Sequence, residues 1–174
     1  MNVLEAIKSR RSSRSFENRQ LPTEVITAIE EAIMHSPSGS NAQESHFVIV
    51  QDREQIKRMK RFAQGVSGQP AAFIVLCSNK EEALVRGGID TLEELRFVNI
   101  GIVASFIILT AQSYGVGTCP VRSFHQSSIQ QILHLPKAVA PELLITLGYS
   151  DQKPRPKSIK STSEVISHDK FGEL

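Results

Sequence analysis

The chain has no tryptophan, two tyrosines and only two cysteines, Cys77 and Cys119, in 174 residues. Two distant cysteines without Cys-x-x-Cys spacing exclude a disulfide scaffold and a zinc knuckle, and make a reducing, cytoplasmic compartment the expectation. No His-Glu-x-x-His, acidic metal cluster or Gly-x-Ser-x-Gly elbow is present, so the signatures of zinc-dependent and serine-dependent hydrolases are missing. The five histidines, His35, His46, His125, His134 and His168, are scattered without ligand spacing, and no metal is expected. A formal charge of +2 and the shortage of stacking aromatics argue against nucleic acid as a partner. The longest apolar stretch, Phe97 to Ala111, is interrupted by Asn99, Gly101, Ala104, Ser105 and Thr110. It is shorter than the roughly 20 residues that span a bilayer, so it reads as a buried core or interface helix and no membrane partner is expected. There is no signal-peptide core, and Glu5 and Glu17 count against a transit peptide in the Arg- and Ser-rich start, so a removable targeting segment is not expected.

What is present is concentrated at one place. Residues 10 to 16 read Arg-Arg-Ser-Ser-Arg-Ser-Phe, three guanidiniums and three hydroxyls within seven positions. An arginine fork pairs two oxygens of a phosphate at once, and serine hydroxyls satisfy the rest. The other basic residues gather at the far end, at Lys153, Arg155, Lys157 and Lys160.

Periodicity places a helix over Asn2 to Arg10 and a second after Leu21-Pro22-Thr23, where Val25, Ile26, Ile29 and Ile33 recur at helical spacing. Ser36-Pro37-Ser38-Gly39-Ser40-Asn41 is a dense loop signal. Phe47 to Val50 reads as a strand, Asp52 to Phe62 as a polar helix, and Gly65 to Pro70 as a loop. Ala71 to Cys77 is a continuous apolar, β-branched run, as in a central strand. Lys80 to Asp90 is ambiguous because Gly87-Gly88 interrupts it. Thr91 to Tyr114 is the longest helix, ended by Gly115 and Gly117. Ser127 to Leu133 is a short helix, and Glu142 to Leu147 another central strand. From Tyr149 onward Pro154 and Pro156 forbid a helix and favour an extended arm, with Val165-Ile166 as a docking strand. No linker or repeat divides the chain, so residues 1–174 read as one domain with 149–174 as its arm.

No side chain stands out as catalytic. Cys77, in an apparent central strand, reads as a buried, inert thiol. Cys119 reads as a turn residue before Pro120. Gly115-Val116-Gly117 follows a helix instead of a strand and lacks a third glycine, so it is not a dinucleotide fingerprint. A chain without a catalytic side chain fits a redox cofactor, which brings its own reactive atoms.

Five elements in order carry a resemblance: Arg10-Arg11-Ser12-Ser13-Arg14-Ser15-Phe16, Pro37-Ser38-Gly39-Ser40-Asn41-Ala42-Gln43, Asn99 in the long helix, Gly115-Val116-Gly117-Thr118-Cys119-Pro120, and the Lys/Arg/Pro tail. Together they resemble the nitroreductase family of FMN-dependent oxidoreductases. The resemblance implies an α+β, three-layer fold with a central, mostly antiparallel sheet flanked by helices, in an intertwined homodimer with two FMN at the subunit interface. It implies hydride transfer from NADH or NADPH through flavin N5 to a nitroaromatic, quinone or similar electrophilic acceptor. By position, Arg10, Ser12 and Arg11 would take the FMN phosphate and ribityl chain, and Arg14 would lie near flavin N1 and O2. Pro37, Ser38 and Asn41 would contact the flavin from the other subunit, and Gln64 its pyrimidine edge. A loop of Thr118, Cys119, Pro120 and Val121 would lie by the isoalloxazine, and Lys157 or Lys160 would complete the phosphate site. Two departures stand out: Ile159-Lys160-Ser161 replaces a basic pair before Pro-Leu, and Gln43-Glu44-Ser45 replaces the common Gln-Pro-Trp. The rival readings are a non-catalytic FMN sensor or storage protein, a family variant that fragments flavin or removes halogen reductively, and a phosphate-gripping binding protein.

Overall fold

The structure is a computed structural model, and it describes residues 1–150, 152, 156 and 158–172. Four strands form an antiparallel sheet in the order β1-β2-β4-β3: β1 is Ser45–Val50, β2 Ala72–Asn79, β3 Gly117–Val121 and β4 Val139–Gly148. Central β2 is buried almost throughout, which explains its unbroken apolar sequence. Its side chains alternate. Ala72, Ile74 and Leu76 join Ile145 and Leu147 in one core with α2 (Thr23–Met34) and α5 (Arg96–Ser113). Phe73, Val75 and Cys77 join Leu144 in a second core with α3 (Arg53–Lys60) and α6 (Gln126–Ile132). Two cores on opposite faces of one sheet make three layers, as expected.

Three expectations need correction. Thr118 to Val121, read as a loop with Cys119 in a turn, is strand β3, paired with β4 from Gly117↔Gly148 to Val121↔Leu144. Pro120 obscured it, yet β3 is an edge strand, where a proline costs no ladder bond if it faces outward. Val165-Ile166 is not a strand. Thr162–Val165 forms one helical turn, α7, begun by a Ser161/Glu164 capping box. β4 is longer than Glu142 to Leu147, because Pro141 is absorbed at a register shift opposite Leu76/Cys77.

The ambiguous stretch is helical. α4 spans Lys80–Asp90, is capped by the Asn79 side chain, and bends at Gly88, where φ is +72°. A π-turn over Thr91–Leu95 passes it into α5. This 34-residue helical run contains a segment long and apolar enough, by composition alone, to cross a membrane. Instead α5 seats Asn99, Ile100, Val103, Ala104, Ile107 and Ala111 in the protein interior. Its opposite side leaves Phe97, Val98 and Phe106 exposed, beside exposed Val3, Leu4 and Ile7 of α1 (Val3–Ser9). From Gln152 to Gly172, every described residue is exposed.

Candidate functional site

The Arg/Ser segment is laid along the free edge of β3. α1 ends at Ser9, one residue early, and Arg10 already has extended backbone. Arg11 curls back, its Nη1 donating to the carbonyls of Lys8 and Arg10 at 2.8 Å, which places a cation at the helix C-terminus. Its buried Nε has no partner. Ser12 bridges Thr118 in parallel, and Ser13 N–H donates to Thr118 C=O at 2.8 Å. Farther on, Glu17 N–H donates to Tyr149 C=O at 2.8 Å.

Two glycines make this close approach possible. A Cβ on Gly117 would stand 2.8 Å from Ser13 Cβ, and one on Gly148 would stand 2.7 Å from the Phe16 ring. Both distances are inside van der Waals contact. On the far side, the Arg14 carbonyl abuts Gly68, whose φ is +67°. Arg14 itself is exposed.

Alternation on β3 decides which of its groups face this segment. Thr118 turns outward to accept from Ser13, so Cys119 and Val121 turn toward β4 and Pro120, which has no N–H, turns outward. Beyond the end of β3, the Arg122 carbonyl accepts from Phe124 N–H at 3.0 Å and its guanidinium lies 3.9 Å from the Glu142 carboxylate. Ser123 follows, and its carbonyl accepts from Gly65 N–H at 3.0 Å, which draws the Gly65 to Gly68 loop to the same spot. Gln64, next to it, is exposed.

Pro37, Ser38 and Asn41 are elsewhere. They line a cleft of about 420 Å³ with Gln43, His46 and Asn99. This loop leads into β1, the opposite edge of the sheet from β3. Three interstrand gaps of about 4.8 Å set the β1 and β3 strands about 14 Å apart within one chain.

The loop is held in an unusual shape. Ser40, Asn41 and Gln43 have φ of 52°, 52° and 51°, a left-handed geometry costing on the order of 1 kcal/mol for each such residue. Ser38 Oγ accepts from Gln43 N–H at 3.3 Å, and Gln43 Nε2 donates to Asn41 Oδ1 at 2.8 Å. Asn99 Oδ1 accepts from Gly39 N–H at 2.9 Å, while Asn99 Nδ2 donates to buried Glu44 Oε1 at 2.9 Å.

A profile of the nitroreductase family matches residues 7–85 and 66–149, nearly the whole chain. The chain belongs to the nitroreductase family. A relative of this family member in Methanothermobacter thermautotrophicus is 30% identical over 162 residues, covering 88% of this chain and 80% of that one. The FMN reductase [NAD(P)H] of Bacillus subtilis is 26% identical over 174 residues, covering 88% and 69%. Among solved structures, the NADPH:FMN oxidoreductase of Vibrio harveyi complexed with NAD+ superposes with a TM-score of 0.86 at 26% identity, covering 100% of this chain and 80% of that one.

Two further features complete the description of this family member. A cleft of about 630 Å³ behind Phe16, with Arg19, Arg53, Lys57 and Lys60 on its walls, contains none of the residues expected to bind cofactor. A polar cluster joins the buried Glu142 carboxylate to Ser78 Oγ (2.8 Å), to Arg96, and at 3.9 Å to Arg122. Beside it the Cys77 thiol is pushed from its ordinary 9.0 up to about 12, first by burial and second by the Glu142 charge. Such a thiol is a poor nucleophile, in line with the inert role expected of it. Lys157 lies outside the described residues. Lys160 is exposed.

Proposed function

We propose that this chain is an FMN-dependent oxidoreductase that takes hydride from NADH or NADPH and passes it to a nitroaromatic, quinone or similar electrophilic small molecule. The observation that carries this reading is the split site. A family whose relatives are named FMN reductases is met here by two sets of flavin-type contacts on opposite sheet edges. A homodimer would bring one edge from each copy to a single isoalloxazine. The exposed apolar sides of α1 and α5 and the exposed residues described between Gln152 and Gly172 would supply the surface for that dimer, with residues 149–174 as the arm of a single 1–174 domain.

The residues fit the cofactor. Arg10 and Ser12, on extended backbone next to β3, offer a charged fork and a hydroxyl to a phosphate. Arg11 contributes through the helix end, since part of its fork already caps α1. Lys160 or Lys157 adds the last cation. The close packing at Gly117 and Gly148 brings this segment to the sheet edge, where Arg14 emerges into solvent. When bound, FMN supplies the two-electron chemistry, accepting hydride from the nicotinamide and delivering it to the oxidised acceptor. Arg14 places a fixed cation to stabilise negative charge as the ring is reduced. Thr118, whose backbone carbonyl faces the Arg/Ser segment from β3, and Gln64 on the facing loop would be the residues of this edge to hold the ring. The Pro37, Ser38 and Asn41 loop of a second copy closes the other side. The reading includes no membrane or nucleic-acid partner, and the cytoplasm would suit its two free thiols.

The deciding experiment is one spectrum followed by one titration. Purified protein should carry flavin absorption near one per subunit, and NADH or NADPH added without oxygen should bleach it within seconds. Colourless protein that cannot be reconstituted with FMN removes the whole reading. Yellow protein that does not bleach makes the chain a flavin sensor or store.

A further inference from the structure

Among the described residues Glu44 is the most deeply buried acid, at 0% exposure, and only one of its carboxylate oxygens has a partner. Burying a carboxylate with an unsatisfied oxygen works against stability. Its presence calls for another reason, and its single bond supplies one.

We infer that Glu44 is a positioning residue that fixes the flavin-contacting Pro37–Asn41 loop by dictating which way the Asn99 amide faces. The inference rests on the FMN reading for its functional meaning. An asparagine amide has two faces of nearly equal shape, one an acceptor and one a donor. A carboxylate only accepts, so Glu44 Oε1 selects Asn99 Nδ2 at 2.9 Å. That leaves Asn99 Oδ1 turned to Gly39 N–H at 2.9 Å, and no other orientation satisfies both contacts. Gly39 opens the segment in which Ser40, Asn41 and Gln43 are all left-handed. Such a shape persists only when its surroundings hold it, and the Gly39 tether is its link to the rigid helix α5. Glu44 is itself anchored, since its carbonyl accepts from Asn79 N–H at 2.8 Å where β2 enters α4. The relay therefore runs from the sheet through Glu44 and Asn99 into the loop that would meet the cofactor of the neighbouring subunit.

The test separates positioning from mere packing. E44L leaves the buried Asn99 amide donor without its acceptor, so the thermal midpoint of the FMN-free protein should fall by a few degrees, while FMN affinity of the folded protein falls about tenfold and the Gly39 amide exchanges about tenfold faster than in the unaltered chain, with sheet amides little changed, by NMR. In a double-mutant cycle with N99A, E44L should add nothing further to the loss of FMN affinity, because both act through one relay. Should E44L not fold, E44Q makes the same test. It keeps the shape, and its mixed donor and acceptor end no longer dictates the Asn99 face, so both effects should be present at about threefold. Wild-type FMN affinity in the variants, unchanged Gly39 exchange, or additive losses with N99A would each overturn the inference. If the unaltered chain binds no FMN, the flavin reading fails alone, and Gly39 exchange still decides whether Glu44 governs the loop.

Discussion

Replacing Gly117 with alanine probes how the Arg/Ser segment is seated. The new Cβ would stand 2.8 Å from Ser13 Cβ and 3.2 Å from the Gly148 carbonyl oxygen. Carbon atoms rest near 3.6 Å, so the segment must back away from β3 by about 0.8 Å. That stretches the Ser13 N–H to Thr118 bond, now 2.8 Å, beyond useful range. Losing the bond costs about 1 kcal/mol and the residual overpacking about 1–3 more. In a chain of this size that lowers the melting temperature by about 5–15 °C. Ser12 moves with the segment, so FMN affinity should fall as well, by about tenfold or more. S13G/G117A removes the opposing Cβ and Oγ, and should recover most of both losses after a glycine penalty of about 1 kcal/mol. The measurements are thermal unfolding at fixed protein concentration, because a dimer melts concentration-dependently, and FMN titration of the apo-protein. Wild-type stability in G117A, or no relief from S13G, would refute the packing of this segment on the sheet edge.

Three further outcomes follow from the same geometry. Arg10→Ala should weaken FMN by about 10- to 100-fold, the worth of one charge-assisted contact, and lower dimer stability in the presence of FMN; unchanged affinity removes Arg10 from the site. Cys77 should resist alkylation in the native protein at pH 8 and react only on unfolding. Because its folded pKa lies near 12 against an ordinary 9.0, its contribution is complete below pH 9. It is lost as pH rises toward 12, since the unfolded thiol ionises first, and Cys77→Ala should flatten that part of the stability curve. Glu142→Leu strands the Arg96 guanidinium, which is only 13% exposed, and should cost about 2–4 kcal/mol in urea unfolding. An unaltered midpoint would mean that Arg96 finds solvent.

Much of the fold was legible where one physical signal dominated. β2 declared itself because burial on both faces demands an unbroken apolar run, and α2 because its isoleucines repeat every three to four residues. β3 was hidden because Pro120 argues locally against a strand, and only the pairing with β4 shows that this position is an outward edge. Val165-Ile166 misled in the other direction: its β-branched pair suggested a strand, while the capping box at Ser161 and Glu164 was enough to start a helical turn. Glu44 stood out only as part of a departure, Gln43-Glu44-Ser45, and its contact was not legible, because it is made to an amide on a helix 55 residues away.

The sequence alone determined the kind of site: an ordered set of guanidiniums, hydroxyls, turn residues and a basic tail is chemistry written in residue types, and it marked the family. Tertiary structure decided how that chemistry is divided. Arg10 to Arg14 run along one edge of the sheet and Pro37 to Asn41 enter the other. Strand order, which sequence spacing does not encode, puts those two edges about 14 Å apart. The same long-range packing turned Arg11 back onto its own helix and locked Asn99 between Gly39 and Glu44. Such arrangements depend on which groups meet across the fold, and that is settled only when the chain has closed.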